Sequence, residues 1–375
     1  MTSKPPFGGE VVRVGDVCTL VFGQSPSSDS YNADGDGLPF YQGNADFGKE
    51  HPKAKVWCNA PKKTARAGDI LLSVRAPIGA VNTAEEVCCI GRGVAAVRPN
   101  PSKVNAVYLK QQLLARRALL ESKGTGSTFK AVGKKVLTEF PVILYSLSEQ
   151  EALARKLQTI QDNLRVADQK LFRLDLLVKS RFVEMFGTAQ DPKYAVVPVE
   201  NVCSAIVDCP HETPKYEGCL VHPAIRTSEL TGTGISWETM KYVSDEEYLR
   251  RIRRIKPLPG DVVYAREGTY GNAAVLPEGH DFCLGQRTML FRPKAELCLS
   301  NYLLHALTSV DVKRQADELN VGSTVPHVNV RDAKRFAIPM PPIREQQEFA
   351  DFVAQVDKLR FVVIEFHECR CSPIG

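Results

Sequence analysis

An ordered internal repeat covers nearly the whole of this 375-residue chain and limits the folds open to it. Val17-Cys18 recurs as Val202-Cys203, Gly68-Asp69 as Gly260-Asp261, and Gly79 as Gly271. Gly91 recurs as Gly285, Arg98-Pro99 as Arg292-Pro293, and Tyr108-Leu109 as Tyr302-Leu303. Gly126-Ser127-Thr128 matches Gly322-Ser323-Thr324, and Glu149-Gln150 matches Glu345-Gln346. The interval drifts from 185 residues (Val17 to Val202) to 196 (Glu149 to Glu345). Chance matches would not keep their order, so the pattern means duplication with a few loop insertions.

The matched pairs fall where local chemistry explains them. Gly68-Asp69 is a turn before the apolar run Ile70-Leu71-Leu72, and Gly260-Asp261 precedes Val262-Val263-Tyr264 in the same way. Arg98-Pro99 and Arg292-Pro293 end the strands Val94–Val97 and Thr288–Phe291, because proline cannot continue a ladder. Asn105–Ser122 and Asn301–Asn320 follow as helices. Each half is therefore a mixed α/β domain, expected over 10–147 and 192–342.

A long helix follows each domain, expected over 148–187 and 343–368. Ser148–Phe186 contains no glycine or proline, and Ser148 with Glu151 forms a capping-box signature. Leu153, Leu157, Ile160, Leu164, Ala167, Leu171, Leu174 and Val178 alternate at spacings of four and three, a heptad seam. At 1.5 Å per residue this helix spans roughly 58 Å. Phe349, Phe352, Val356, Leu359, Val363 and Phe366 give the second helix a matching seam. Two equivalent helices with narrow stripes suit antiparallel pairing as a coiled coil. The repeat partner of Phe186 would fall beyond Gly375; a truncated or shifted C-terminus and a genuinely shorter helix both stay open.

Composition narrows function. A net charge of +5 permits a nucleic-acid partner without demanding one. No apolar run is long enough to span a membrane, and polar Met1–Glu10 lacks a signal-peptide core, so a cytoplasmic protein is expected. The eleven cysteines contain no Cys-x-x-Cys pair. Cys203, Cys209, His211, Cys219 and His222 are the best metal candidates, but their spacing fits no common zinc module and buried free thiols are the simpler reading. The chain lacks a Walker loop, a Gly-rich cofactor loop, and the acid-or-amide-Pro-Pro-aromatic tetrad of amino-methyltransferases. Asp34 and Asp36 lie in a Gly-rich surface loop, and Asp69 and Asp261 are turn residues. Catalysis within the chain, and a metal or cofactor of its own, are not expected.

The order of domain, Gly-Ser-Thr, Pro-containing connector, Glu-Gln and long helix, repeated once, resembles the specificity subunit of type I restriction–modification systems. The resemblance spans about residues 10 to 368. It is strongest at Gly322-Ser-Thr-Val-Pro-His-Val and Ile338-Pro-Met-Pro-Pro-Ile-Arg-Glu-Gln-Gln, with divergent first copies at Gly126-Ser-Thr-Phe-Lys-Ala-Val and Phe140-Pro-Val-Ile-Leu-Tyr-Ser-Leu-Ser-Glu-Gln. Phe22-Gly-Gln-Ser-Pro-Ser and Asp208-Cys-Pro-His-Glu-Thr-Pro-Lys-Tyr look like openings of recognition domains. The resemblance implies an α+β protein of two target recognition domains in tandem, joined by two long antiparallel coiled-coil helices. Each domain would read half of a bipartite, asymmetric site on double-stranded DNA. The helices would act as a ruler and dock two methyltransferase subunits, joined by restriction–motor subunits. S-adenosylmethionine, ATP and magnesium would belong to those partners. A stand-alone bipartite DNA-binding protein, and a truncated phase-variable or silent specificity copy, are the alternatives.

Lysine and arginine on phosphates give affinity, and polar side chains on base edges give specificity. Candidates near apparent loops of the first domain are Gln24, Ser25, Ser73, Arg75, Arg92, Lys123, Thr125, Ser127, Thr128 and Lys130. Those of the second are His211, Thr213, Lys215, Arg226, Arg266, Tyr270, Arg287, Ser323, Thr324 and His327. Arg75 and Arg266 follow equivalent strands and are expected at comparable rims, as guanine readers or as surface ion pairs. The Gly-Ser-Thr pairs serve equally as turns and caps, and His211 and His327 as structural histidines. The run Arg250-Arg-Ile-Arg-Arg-Ile-Lys256 is a solvated helix edge or a phosphate-binding strip.

Overall fold

The sequence repeat becomes a repeat of strand order in the computed structural model, which describes residues 8–126, 130–188, 190–218, 221–232, 234–319 and 327–371. The chain divides into two units, Met1–Asn163 and Leu164–Gly375, and the division falls inside a long helix. Unit 1 carries an antiparallel sheet ordered Cys18–Phe22, Val94–Pro99, Ile70–Ser73, Val81–Thr83. Unit 2 repeats it as Cys203–Asp208, Thr288–Pro293, Val262–Ala265, Ala273–Val275. A second sheet in each unit contains one parallel pair, Leu38–Tyr41 with Cys88–Ile90 and His222–Ile225 with Cys283–Leu284. The mixed α/β character expected from the sequence is present in both units.

The central strands are apolar without interruption because both faces are covered. Ile70 and Leu72 pack with Tyr108, Leu109 and Phe140, whereas Leu71 on the opposite face packs with Tyr41 and Ile90. Val262 and Tyr264 repeat the first arrangement, and Val263 and Ala265 the second. The matched sequence pairs also meet one another. Arg98 makes a two-pronged contact with Asp69 at 2.7 and 2.8 Å, and Arg292 does the same with Asp261. Each aspartate also accepts a turn N–H, from Arg66 and Leu258 respectively. The small growth of the repeat interval near its start has a local cause: the register shifts between Cys203 and Ala205, where a bulge absorbs one residue.

The Glu-Gln pairs are latches. Gln150 is buried, accepts Asn105 N–H at 2.8 Å, and donates to the carbonyls of Lys103 and Tyr145. Gln346 does the same with Leu299, Leu297 and Pro341. Each fixes the start of a long helix, Leu147–Phe186 or Ile343–Cys371, to its own unit. Within unit 2 Val178, Phe182 and Phe186 are buried. The Phe182 and Phe186 rings lie 5.5 Å from the Phe349 ring, and Arg181 stands over Phe352. Asp175 pairs with Arg360 at 2.5 Å, so contacts advance along one helix as they retreat along the other. Leu153, Leu157 and Ile160, from the first half of the expected seam, are exposed, as is Leu359. The Phe366 side chain lies outside the described residues.

Some local expectations shift. The capping box is Ser146 with Glu149, two residues before Ser148, since Ser146-Leu-Ser-Glu fits the same pattern. The helices after the sheets are each broken, into Ala106–Ala115 with Arg117–Ser122 and Ser300–Leu307 with Val310–Leu319. In unit 2 Thr308 bonds back to Leu304 O and Ser309 caps Val312 N–H, a stop and start made without glycine or proline. The strands ending in Arg-Pro run through the proline, which pairs at the sheet edge with Cys18 or Cys203.

His305, on Ser300–Leu307, packs edge-on against Phe349. Burial, then the charges of Arg360 and Lys179, push its pKa down to about 4. Neutral His305 therefore stabilises the fold fully above about pH 6.5, and this is lost as the pH falls toward 4. The expected loss approaches about 3 kcal/mol by pH 4. Thermal melts at pH 7 and pH 4.5 should diverge less in H305F than in the parent chain; equal divergence would show that His305 is solvated.

Candidate nucleic-acid interface

Antiparallel register puts the end of Ile70–Ser73, the start of Val94–Pro99 and the end of Cys18–Phe22 at one edge of the unit 1 sheet. Loops leaving that edge, with the turn Gln42–Asp46, line a cleft of about 540 Å³. Ser25, Gln42, Asn44, Arg75 and Arg92 face it. Asp46 also lines it, but its carboxylate closes the turn by accepting Gln42 N–H at 2.7 Å and Gly43 N–H at 3.3 Å. Arg75 and Arg92 are exposed and have no ion-pair partner among the described residues. Among the described residues the ion-pair alternative for Arg75 is thus not seen.

Other expected residues sort by position. Ala131 bridges both Arg75 and Thr125, and Ala76 N–H donates to Lys130 O, so exposed Thr125 and Lys130 flank the cleft. Lys123 is exposed at the end of Arg117–Ser122, and Gln24 is exposed beside Ser25. Ser73 differs from expectation. It is buried, and its hydroxyl bonds the carbonyls of Arg75 and Pro77, both at 2.9 Å, so it shapes the turn beneath the cleft. Ser127, Thr128, Ser323 and Thr324 lie outside the described residues.

The same edge of unit 2 is built from different side chains. Val132 N–H donates to Val74 O, and Val328 N–H to Arg266 O; Val74 N–H donates to Gly93 O, and Arg266 N–H to Arg287 O. Arg266 is therefore the counterpart of buried Val74, and Arg75 corresponds to Glu267. This corrects the expected equivalence of Arg75 and Arg266: a shift of one residue along an extended strand turns a side chain to the other face. Arg266 is only 12% exposed and pairs with Asp208 and, at 3.4 Å, with Glu267. By the same register Arg92 corresponds to Gln286, Gly93 to Arg287, and Ser25 to His211.

His211 is 71% exposed, 3.6 Å from Asp208. Thr213 accepts a hydrogen bond from Gln286 at 2.7 Å, and Lys215 is exposed. Arg287 is 62% exposed, with its Nε 3.1 Å from Glu267. His327 is exposed and its backbone bridges Glu267. Two candidates have structural duties instead. Arg226 is committed to fully buried Glu229 and to Thr239 O. Burial opposes ionisation of Glu229, but bonds from Arg226, Ser228 and Thr239 outweigh it and hold the carboxyl below its ordinary value. The Tyr270 hydroxyl bonds Asp317.

Three members of the basic run are paired internally, while Arg253 and Arg254 are exposed. Arg250 pairs with Glu247 and Glu212, buried Arg251 bonds Leu284 O, and Lys256 pairs with Asp281 at 3.1 Å. Cys203 and Cys209 belong to different cores, and burial raises both thiol pKa values, that of Cys203 to about 12. Cys219 lies outside the described residues. Gln42, Asn44, Gln286 and Glu267 were missed by the sequence reading. The repeat could have found Gln286, since it sits directly after Gly285 as Arg92 follows Gly91.

The family model described as the type I restriction modification DNA specificity domain matches residues 6–173 and 222–364, most of the chain. The chain belongs to the type I restriction–modification specificity family. Among relatives of this specificity chain is a Methanocaldococcus jannaschii protein assigned as the type I restriction enzyme MjaX specificity subunit. It is 40% identical over 163 residues, covering 43% of this chain and 38% of the relative. The MjaVIII specificity subunit of the same organism is 22% identical over 275 residues, covering 68% and 64%. The chain thus spans well under the full length of these relatives. The S subunit of a type I system from M. genitalium matches with a TM-score of 0.58 and 12% identity, over 98% of this chain and 96% of that one, a likeness of fold alone. Among the described residues no helix is long and apolar enough to cross a membrane.

Proposed function

We propose that this chain is the DNA-reading subunit of a type I restriction–modification complex, with the corresponding sheet edges of its two units reading two unlike half-sites. The observation that carries this reading is the exchange of side chains at one repeated site. Ser25, Arg75 and Arg92 stand where His211, Glu267 and Gln286 stand in the other copy. The two guanidinium groups of one copy and the amide of Gln286 in the other prefer different base edges, so unlike sets imply unlike half-sites. The target recognition domains are 10–147 and 192–342. The helices of 148–187 and 343–368 form the spacer, an antiparallel coiled coil; the Asp175–Arg360 and Phe182–Phe349 contacts support that pairing.

The chain itself is non-catalytic. Two methyltransferase subunits dock on the long helices, where Phe172, Leu176 and Phe361 offer exposed apolar area, and restriction–motor subunits join them. S-adenosylmethionine, ATP and magnesium are held by those subunits. Co-expression with a cognate methyltransferase subunit tests this: DNA from the co-expressing cells is expected to carry methylation at one bipartite motif. Tight, specific binding by the chain alone, with no methylation on co-expression, would favour a stand-alone binding protein instead.

A further inference from the structure

Unit 2 holds an ionic chain at its reading edge for which the fold has no need. His211 lies 3.6 Å from Asp208, Asp208 pairs with Arg266, Arg266 lies 3.4 Å from Glu267, and Glu267 is 3.1 Å from Arg287. The corresponding residues of unit 1 are Ser25, Phe22, Val74, Arg75 and Gly93, which form no such chain, yet the flanking strands keep the same pairing. The chain also carries an internal deficit: among the described residues, Asp208 Oδ1 and Arg266 Nε are buried without hydrogen-bond partners. An arrangement that the fold does without in unit 1, and that leaves two polar atoms unpaired among the described residues, points to a task at the rim.

Arg287 marks that task. It is the one non-glycine residue with positive φ among the described residues, at 63°, a conformation that side chains disfavour. At Gly93 a Cβ would come within 2.2 Å of Gln42 O, so unit 1 has no room for a side chain there. In unit 2 the backbone turns, and the guanidinium stands outward against Glu267. Each edge thus presents a guanidinium, from position 75 in one copy and from the neighbouring loop in the other.

We infer that Arg287 is the guanine-reading residue of unit 2, and that Glu267, itself fixed through Arg266 and Asp208, is the positioning residue that aims its fork at guanine O6 and N7. This rests on the DNA-reading role proposed above. The half-site read by unit 2 then contains a guanine whose recognition depends on one side chain carried by a backbone of positive φ.

The experiment is methylation-site sequencing with the assembled complex carrying R287G, R287K or E267Q. Glycine suits φ 63°, so R287G is expected to melt at or above the parent temperature. Its guanine discrimination is expected to fall roughly tenfold or more at one position of one half-site, the other half-site unchanged. R287K keeps the charge but cannot fork and should not restore discrimination. E267Q should weaken it at the same position by several-fold. An unchanged motif in R287G, or a uniform loss across all positions as for a phosphate contact, overturns the assignment. If the parent complex methylates no bipartite motif, the DNA-reading role fails first and this assignment with it.

Discussion

Removing both guanidinium groups that line the unit 1 cleft, as R75A/R92A, is expected to cut specific DNA binding by the assembled complex about 100-fold or more. Each arginine faces the cleft without an ion-pair partner among the described residues, so neither substitution leaves a carboxylate stranded. A two-pronged arginine contact to guanine is worth about 1–3 kcal/mol, and two of them roughly multiply. The loss should fall on one half-site, because unit 2 presents its own set of side chains. Competition binding with duplexes altered in one half-site at a time measures this. A parent complex and a double variant that discriminate equally at both half-sites would remove this edge from the account. The melting temperature should hold, since both side chains are exposed.

Replacing Gln346 with alanine is expected to lower the stability of unit 2 by about 3 kcal/mol. The side chain is fully buried and makes three bonds, to Leu299 N–H and to the Leu297 and Pro341 carbonyls. Truncation leaves all three backbone groups without that partner, the Pro341 carbonyl in a buried setting, where an unsatisfied group costs about 1–3 kcal/mol. The chain has two tryptophans, Trp57 and Trp237, one in each unit. Urea unfolding of W57F, followed by the fluorescence of Trp237, therefore reports on unit 2. A loss below 1 kcal/mol would mean that the latch is open to water.

Much of this organisation was legible because duplication gives the sequence an internal standard. Gly68-Asp69 and Arg98-Pro99 each recur, and the structure makes them one contact, Asp69 to Arg98 and Asp261 to Arg292. The Glu-Gln pairs recur because each buried glutamine bonds three backbone groups at the helix start. The cleft edge was harder to see. Arg75 and Arg266 look alike in sequence, but side-chain direction depends on register to a single residue, which only the hydrogen bonds of Val74 and Arg266 fix. Ser73 was plausible by type and lost to burial, and Arg226 to its pairing with buried Glu229, neither of which a single sequence position reveals. Gln42 and Asn44 reach the cleft from a turn some thirty residues before Ser73, a proximity set by the parallel pairing of Leu38–Tyr41 with Cys88–Ile90.

If one duplicated sheet edge reads two different half-sites, the bound sequences must show it. Selection of bound sequences from a randomised duplex pool by the assembled complex tests it most directly. The account predicts one motif of two unlike half-sites separated by an unread spacer, and R287G changing only one of them. A palindromic motif, or one continuous motif with no spacer, would contradict it.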